Sequence, residues 1–236
     1  MSRSARLCSA AILAVCAIVA SRANAQTVPS GRPAAPGAPP RTLQLQARPA
    51  IDYSTAHLER KITPVRLSGA IKLDGVLDEA AWRDAPMATG FIQNDPREGM
   101  PATYETEVRV LYNDEALYFG VFAKDDSPKL VVTNDLKKDY NREGSDGFRI
   151  VLDTFDDGRN GYEFMTNPGG AKWDAQQANE GRDINANWDG IWDVKTRMTE
   201  TGWYAEIWIP FRTLKFSSDE SQVWGINFQR KLRRLN

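Results

Sequence analysis

The chain has 236 residues, and its 30 Lys and Arg residues against 31 Asp and Glu residues give a formal net charge of −1 at pH 7. This balance excludes the strongly basic surface that nucleic-acid-binding proteins need. A hydrophobic fraction of 42% with a mean hydropathy of −0.49 fits a soluble chain with one buried core. The composition is too polar for a protein that crosses the membrane with several helices.

The first 25 residues have the features of an export signal. Arg3 and Arg6 precede an apolar run over 7–20, and Ala23-Asn24-Ala25 provides an A-x-A cleavage site. The apolar run is shorter than the roughly 20 residues of a membrane-spanning helix. The sequence therefore predicts a signal peptide over 1–25, cleaved after Ala25, and a mature protein in the periplasm or associated with the outer membrane.

Cleavage would remove both cysteines, because Cys8 and Cys16 lie within the predicted signal peptide. The mature chain would then have no disulfide framework, no thiolate metal site and no cysteine nucleophile. Its 27 basic and 31 acidic residues give a charge of −4.

Residues 26–60 predict an extended linker. Six of the thirteen prolines fall between 26 and 50 among Ala and Gly, and no apolar periodicity is present. His57, the single histidine, lies near the end of this segment. The domain that follows, predicted over 61–236, therefore lacks the imidazole that many catalytic and metal sites use.

From about residue 62, short runs alternate apolar and polar residues between turn signals, as in antiparallel strands. Residues 107–112 and 116–123 alternate on either side of Asn113-Asp114-Glu115 and predict a hairpin. Residues 148–152 and the run beginning at Tyr162 predict a second hairpin around an acidic loop.

Two later runs place large apolar side chains on one face of a strand. The first comprises Trp203, Ala205, Ile207 and Ile209, and the second comprises Trp224, Ile226 and Phe228. Short helical turns are predicted only at 77–82 and at 211–214, where Pro210 can open the turn. The sequence predicts an all-β, antiparallel β-sandwich of the jelly-roll or immunoglobulin-like kind. A closed barrel and a single blade-like sheet are the alternatives.

Several segments together resemble carbohydrate-binding module family 9. They are IKLDGVLDEAAW at 71–82, VRVLYND and ALYFGVFAKDD within 108–126, DGFRIVLDTF at 146–155, WYAEIWIPF at 203–211 and VWGINFQR at 223–230. Their order and spacing agree with the family over about 165 residues, so the resemblance is more specific than any single motif. It is closest to the version at the N-terminus of large exported bacterial proteins, in which a predicted outer-membrane barrel region follows.

The resemblance implies a non-catalytic β-sandwich that contains calcium and binds a polysaccharide or oligosaccharide, within a longer protein of carbohydrate catabolism linked to O-glycosyl hydrolysis. Family members that bind sugar chain ends clamp the ring between two tryptophans. The position that matches the first tryptophan holds Asn141-Arg142-Glu143-Gly144, with Tyr140 as the nearest aromatic residue. The second lies beyond the final strand.

Sugar rings stack on aromatic planes, and their hydroxyls bond to amides, carboxylates and guanidinium groups. Segments 173–179 and 185–189 have this mixture and do not alternate like strands, so both predict loops. The predicted carbohydrate-binding residues are Tyr140, Trp173, Gln176, Asn187 and Trp188. The alternative is that Trp173 and Trp188 belong to the core, as Trp82, Trp203, Trp208 and Trp224 are expected to.

Residues 135–193 contain thirteen acidic and seven basic residues. Oxygen-rich loops suit calcium, which accepts six to eight oxygen ligands in flexible geometry. The predicted ligands of this structural ion are Asp125, Asp126, Asp146, Asp153 and Asp156. Solvated acidic turns explain the same residues equally well.

No catalytic site can be identified. Glycoside hydrolysis needs two carboxylates across a cleft, and no sequence feature selects such a pair. Glu206 is the acid that looks most buried, although it falls on the face opposite Ala205 and Ile207. The sequence therefore predicts an exported carbohydrate-binding module that does not bind nucleic acid. The alternative is a periplasmic structural domain attached to an outer-membrane barrel, without sugar binding.

Overall fold

The computed structural model describes residues 60–235. The predicted signal peptide, the predicted linker up to residue 59 and His57 lie outside this range. None of the helices between residues 60 and 235 combines the length and apolar character that crossing a membrane requires.

The described residues form eleven strands, one short α-helix and four 3₁₀ turns. The strands are β1 (Val65–Arg66), β2 (Met87–Ala88), β3 (Thr106–Tyr112), β4 (Ala116–Lys124), β5 (Gly147–Asp153), β6 (Gly161–Thr166), β7 (Lys172–Ala178), β8 (Asp183–Asn185), β9 (Asp193–Thr199), β10 (Gly202–Pro210) and β11 (Gly225–Lys231). The helix is α1 (Ala80–Asp84), and the 3₁₀ turns are Pro128–Leu130, Arg142–Gly144, Phe211–Thr213 and Arg233–Leu235.

These strands make two sheets. One has the order β1-β3-β4-β10-β9, with β2 also paired to β3, and the other has the order β11-β5-β6-β7-β8. The pairings are antiparallel except for the two-residue pairing of β1 with β3. The predicted all-β sandwich is confirmed, as two open layers rather than a closed barrel.

The two layers share one apolar core, which their inner faces fill. Phe119 of β4 meets Phe228 of β11 edge to face at 6.1 Å between ring centroids, so the contact crosses from sheet to sheet. The two later apolar runs that the sequence predicted, at 203–209 and at 224–228, both place their large apolar side chains in this core. Burial of apolar surface, which contributes about 25 cal/mol per Å² removed from water, is the main interaction that holds the two layers together.

Both predicted hairpins are present. In the first, the Asn113 side chain accepts hydrogen bonds from the backbone N–H groups of Glu115 and Ala116, each at 2.9 Å, which closes the turn between β3 and β4. In the second, β5 pairs with β6 across the loop 154–160. The predicted helical turns are also present, as α1 and as the 3₁₀ turn that follows Pro210.

The predicted loop at 173–179 is wrong, because almost all of it lies in strand β7. Asp174 is opposite Phe164 in the register of β6 and β7, so it shares the inward face, and its exposed fraction is 0%. A carboxylate at an inward position breaks the apolar alternation by which strands are recognised. The predicted loop at 185–189 is confirmed beyond Asn185, which ends β8.

A lysine compensates the buried charge of Asp174. The Lys138 ammonium lies 3.2 Å from Asp174, 3.2 Å from Asp189 and 3.1 Å from Asp139, between three carboxylates. Burial opposes the charged form of Lys138, but the three carboxylates outweigh it and raise its pKa. This cluster ties the segment before β5 to β7 and to the loop after β8.

Residues 65–85 cover part of the outer face of the first sheet. The ring of Trp82 lies directly over Gly120, where an added Cβ would be only 2.9 Å from ring atoms, so β4 needs glycine there. Glu206 points to the same side, opposite the core, as the sequence predicted. Its carboxylate accepts hydrogen bonds from the backbone N–H groups of Asp74 and Gly75, each at 2.8 Å, and from the Trp82 indole at 3.1 Å.

Replacing Glu206 with glutamine should lower the free energy of unfolding by roughly 1–3 kcal/mol at neutral pH, because the new NH₂ group would face the Trp82 N–H. Urea denaturation measures this difference. Glu206 is fully buried, and the exposed Glu220→Gln substitution is the matched control, expected to have no effect. An equal effect of the two substitutions would show that these hydrogen bonds do not hold the segment.

Burial also raises the folded-state pKa of Glu206 above 4.5. At pH values between the unfolded-state pKa and this higher folded-state pKa, the unfolded chain binds fewer protons at this carboxyl than the folded chain. The free energy of unfolding should therefore fall as the pH rises through that range to the folded-state pKa. The Glu206→Gln protein should lack this part of the pH dependence.

Candidate functional site

A groove of about 480 Å³ opens on the outer face of the second sheet, at its β11 edge. One wall is the segment 91–106, and the other consists of residues 228–235. Arg149 and Met165 lie at its base, and the 3₁₀ turn Arg142–Gly144 closes one side. We call this cavity the β11 groove.

The base of the β11 groove contains two arginines that share one carboxylate. The guanidinium groups of Arg149 and Arg142 lie 3.1 and 3.7 Å from the same oxygen, Oε2 of Glu163. The other oxygen of Glu163 accepts a hydrogen bond from the Gln177 side chain. Glu163 is 1% exposed, whereas the arginine side chains are 33% and 28% exposed for Arg142 and Arg149. The carboxylate is therefore fully enclosed, and its partners still reach solvent.

Arg142 is held in place by an aromatic ring. Its guanidinium carbon lies 3.7 Å from the ring centroid of Trp173, within the range of a cation–π contact. The Asn141 side chain accepts a hydrogen bond from the backbone N–H of Glu143 at 3.0 Å and caps the turn that presents Arg142. The turn and the ring together limit the positions that this arginine can take.

A buried ion network supports the wall formed by residues 228–235. Asp125 lies 3.6 Å from Arg230 and 2.8 Å from Arg234, and the Arg234 guanidinium lies 5.0 Å from the ring centroid of Tyr104. Burial lowers the pKa of Arg230 to about 10, although Asp125 opposes this shift. Arg230 therefore remains charged at neutral pH, and it links the wall to β4.

The structure does not gather the five predicted carbohydrate-binding residues into one site. Tyr140 and Trp173 are 3% and 6% exposed and form a small cluster with Met165, Ala171 and Ala175. Trp188 is half-buried and packs on Tyr162 at 5.1 Å between ring centroids. Asn187 is exposed beside it. The roles of these residues in binding stay predictions.

Gln176 lines a second cavity, of about 540 Å³, between the loop 154–160 and strand β8. Asn160, Gln177 and Asn185 add further amide groups to this cavity, and Phe155 is 51% exposed. It shares no lining residue with the β11 groove.

The predicted calcium ligands do not fit an ion site as the described residues place them. No group of three or more acidic, histidine or cysteine side chains in residues 60–235 is arranged to hold an ion. Asp125 already faces Arg230 and Arg234. The Asp146 carboxylate accepts backbone N–H bonds from Val132 and Arg233.

The other three predicted ligands lie at the end of β5 or in the loops that follow β4 and β5. Asp153 accepts backbone N–H bonds from Phe155, Asp157 and Gly158 and so shapes its own loop. Asp126 and Asp156 are exposed. Calcium binding itself stays a prediction.

Sequence reasoning missed most residues of the β11 groove, among them Phe91, Asn94, Tyr104, Arg149 and Gln229. Arg149 and Gln229 are opposite each other in the register of β5 and β11. Each occupies the outward position of an alternating strand, where a polar side chain is ordinary. Only the resemblance at Asn141-Arg142-Glu143-Gly144 pointed to this part of the sheet.

Comparison with known proteins gives a family and a set of similar folds. A profile of the family described as carbohydrate family 9 binding domain-like matches residues 73–231, which is more than half of the chain. No curated protein matches the chain significantly.

The similar solved structures include two of a family 9 carbohydrate-binding module from Caldicellulosiruptor kristjanssonii. The complex with cellotriose has a TM-score of 0.51 at 18% identity and covers 72% of this chain and 76% of that one. The glucose complex has a TM-score of 0.50 at 16% identity and covers 72% and 78%.

A third structure is of a candidate carbohydrate-binding protein from Bacteroides uniformis, with a TM-score of 0.56 at 12% identity and coverage of 73% and 84%. At these identities the likeness concerns the fold, and it agrees with the family profile. The chain therefore belongs to the carbohydrate family 9 binding domain-like family, a family of non-catalytic carbohydrate-binding modules.

Proposed function

We propose that the domain binds a polysaccharide or oligosaccharide in the β11 groove. The observation that carries this proposal is a preformed concave surface in which polar planar groups stand beside aromatic rings. Open clefts with few but well-placed polar groups are where proteins most often hold small ligands. The family assignment agrees with a carbohydrate as the ligand.

The chemistry of the lining suits a pyranose. Phe91 and Tyr104 are half-buried and provide ring surface for the C–H face of a sugar. Asn94 and Gln229 are exposed and provide amides that can donate to and accept from hydroxyls. The ion network behind the wall helps to position these groups, since the Arg234 guanidinium lies 5.0 Å from the ring centroid of Tyr104.

A structural domain without sugar binding is the second candidate. It is favoured by the first clamp position, where the structure has a 3₁₀ turn carrying Arg142 instead of an exposed tryptophan. The nearby Trp173 is covered by that arginine. A polysaccharide-binding measurement separates the two functions.

We propose further that the domain leaves the glycan chemically unchanged. The fully buried carboxylates of Glu163 and Glu206 are engaged by arginines and by N–H donors, respectively. A general acid and a nucleophile need to reach the scissile bond from a cleft. Release of reducing sugar by the purified domain would contradict this part of the proposal.

The wider context is proposed from the N-terminal sequence and from the family resemblance. The chain would be exported, cleaved after Ala25, and located in the periplasm or at the outer membrane. A barrel region would follow this domain in a longer protein of carbohydrate catabolism.

If the export proposal is correct, N-terminal sequencing of the protein recovered from the cell envelope of a bacterial host should begin at Gln26. The A-x-A residues direct this cleavage, so Ala25→Asp should block it and leave a larger precursor. Ala35→Asp, in the predicted linker, is the matched control and should leave cleavage unchanged. An N-terminus at Met1 in the mature fraction would contradict the proposal.

Affinity electrophoresis in gels with cellulose- or xylan-derived polysaccharides tests the β11 groove. Replacing Asn94 and Gln229 together with alanine should weaken binding about tenfold or more, because each lost hydrogen bond contributes about 0.5–1.5 kcal/mol. Both residues are exposed, so the fold should be retained.

Replacing Gln176 and Asn185 in the second cavity is the matched comparison for this test. If the β11 groove is the binding site, this replacement should leave binding unchanged, and that result would contradict the sequence prediction for Gln176. Loss of binding only in the control variant would move the site to the second cavity. No binding of the unmodified protein to any polysaccharide would favour the structural domain.

Calcium is tested by thermal unfolding. A bound calcium ion would raise the melting temperature above its value in a chelator, since an ion present at about 100 times its Kd would add about 2.7 kcal/mol to the unfolding free energy. A rise of several degrees would support the predicted ion. The same melting temperature in calcium and in a chelator would contradict the calcium prediction, and the compensation of Asp125 by Arg230 and Arg234 favours that result.

A further inference from the structure

We propose that the β11 groove selects sugar units that carry a carboxylate, as uronic acids do; this inference rests on the proposed function. The observation behind it is the imbalance of charge at the base of the groove. Two guanidinium groups, those of Arg142 and Arg149, are matched there by one enclosed carboxylate, Glu163.

The other charges that line the groove are mostly paired. Lys231 contacts Glu143 directly. Arg230 and Arg234 share the fully buried Asp125, and the carboxylate of Asp146 also interacts with both arginines, so these two cations meet two carboxylates. Asp95, on the opposite wall, is exposed to water, whose high dielectric constant weakens the interaction of its charge with the arginines. The excess positive charge is therefore located on the two arginines at the base.

Other groups of the domain also hold these two arginines in position. Arg142 stacks on Trp173 at 3.7 Å, and the turn around it is capped. Arg149 is part of strand β5, and within residues 60–235 its buried Nε has no hydrogen-bond partner. Groups that are already fixed lose little entropy on binding, so more of the interaction energy appears as affinity.

The geometry of guanidinium favours a carboxylate over a hydroxyl. Its planar N–H groups can bond to both oxygens of a carboxylate at once, and such charge-assisted bonds are about twice as strong as neutral ones. A neutral sugar offers single hydroxyls and leaves the excess charge uncompensated. The arginine pair would thus act as a specificity determinant for the sixth carbon of the sugar unit.

In this arrangement Trp173 is a positioning residue. It was predicted from the sequence to contact the sugar, but the guanidinium of Arg142 lies on its ring. The ring would influence the ligand by holding the arginine.

The test compares two ligands of the same length and linkage, cellotriose and the trimer oxidised to carboxylate at each sixth carbon. Isothermal titration of the full mature protein should show the oxidised trimer binding about tenfold tighter or more at about 50 mM salt. The difference should shrink at about 500 mM salt, where the Debye length falls to a few ångströms.

Arg149→Gln should remove most of the preference for the oxidised trimer, measured as the ratio of the two dissociation constants, because a charged hydrogen bond contributes about 1.5–3 kcal/mol. Arg149→Lys should retain part of it, since a point charge replaces a planar fork. Arg182→Gln, in the second cavity, removes a cation from another surface and should leave the preference unchanged. The melting temperature of each variant verifies that it folds, and Arg142→Gln provides a second test if Arg149→Gln does not.

Equal or weaker binding of the oxidised trimer, with cellotriose bound, would overturn this inference and leave the proposed function intact. Failure of both trimers to bind would overturn both. A preference that persists undiminished in Arg149→Gln and Arg142→Gln would show that other residues create it, and would also overturn the inference.

Discussion

Buried carboxylates determine how the loops of this domain lie on its two sheets. A carboxylate removed from water is costly unless cations or several N–H donors surround it. Glu206 accepts hydrogen bonds from the backbone N–H groups of Asp74 and Gly75. Asp125 is paired with Arg234, which follows β11, and Asp174 is paired with Lys138. Each compensation brings a segment distant in sequence onto a strand or its end, and one wall of the β11 groove, residues 228–235, is positioned in this way.

The strands that were predicted correctly are those whose side chains follow a simple binary rule. β3, β4, β5, β10 and β11 alternate, because one face of each contributes to the shared core. The turn chemistry of Asn113 also acts locally, within four residues, and local rules can be read directly from sequence.

β7 does not follow that rule, because its inward positions opposite Phe164 and Tyr162 hold Asp174 and Gln176 rather than apolar residues. The group that makes Asp174 acceptable there, Lys138, is 36 positions earlier in the chain. No local pattern reports such a partner. The same holds for the groove, since Tyr104, Arg149 and Gln229 come from three separate segments. Sequence patterns predict which strands exist, whereas the site depends on which segments meet.

Tryptophan illustrates why residue type alone misled the prediction of the site. Aromatic rings bind sugars well, but they also fill cores, and in the described residues Trp82, Trp173, Trp192, Trp203 and Trp224 are buried. Trp173 is buried and still uses its ring face to contact a polar group, because the guanidinium of Arg142 lies on the ring. A search for exposed aromatic residues would therefore pass over the base of the groove, where Arg142 and Arg149 lie beside Met165.

The two walls of the β11 groove determine when, during synthesis, the domain becomes able to bind a glycan. Residues 91–106 are synthesised long before residues 228–235, and the later wall is tied to the earlier part of the chain through Asp125. A chain still emerging from a ribosome or a translocon, or one clipped before its last strand, has only half of the cleft. Glycan capture by this domain would thus report that the domain has been synthesised through its last strand and has folded.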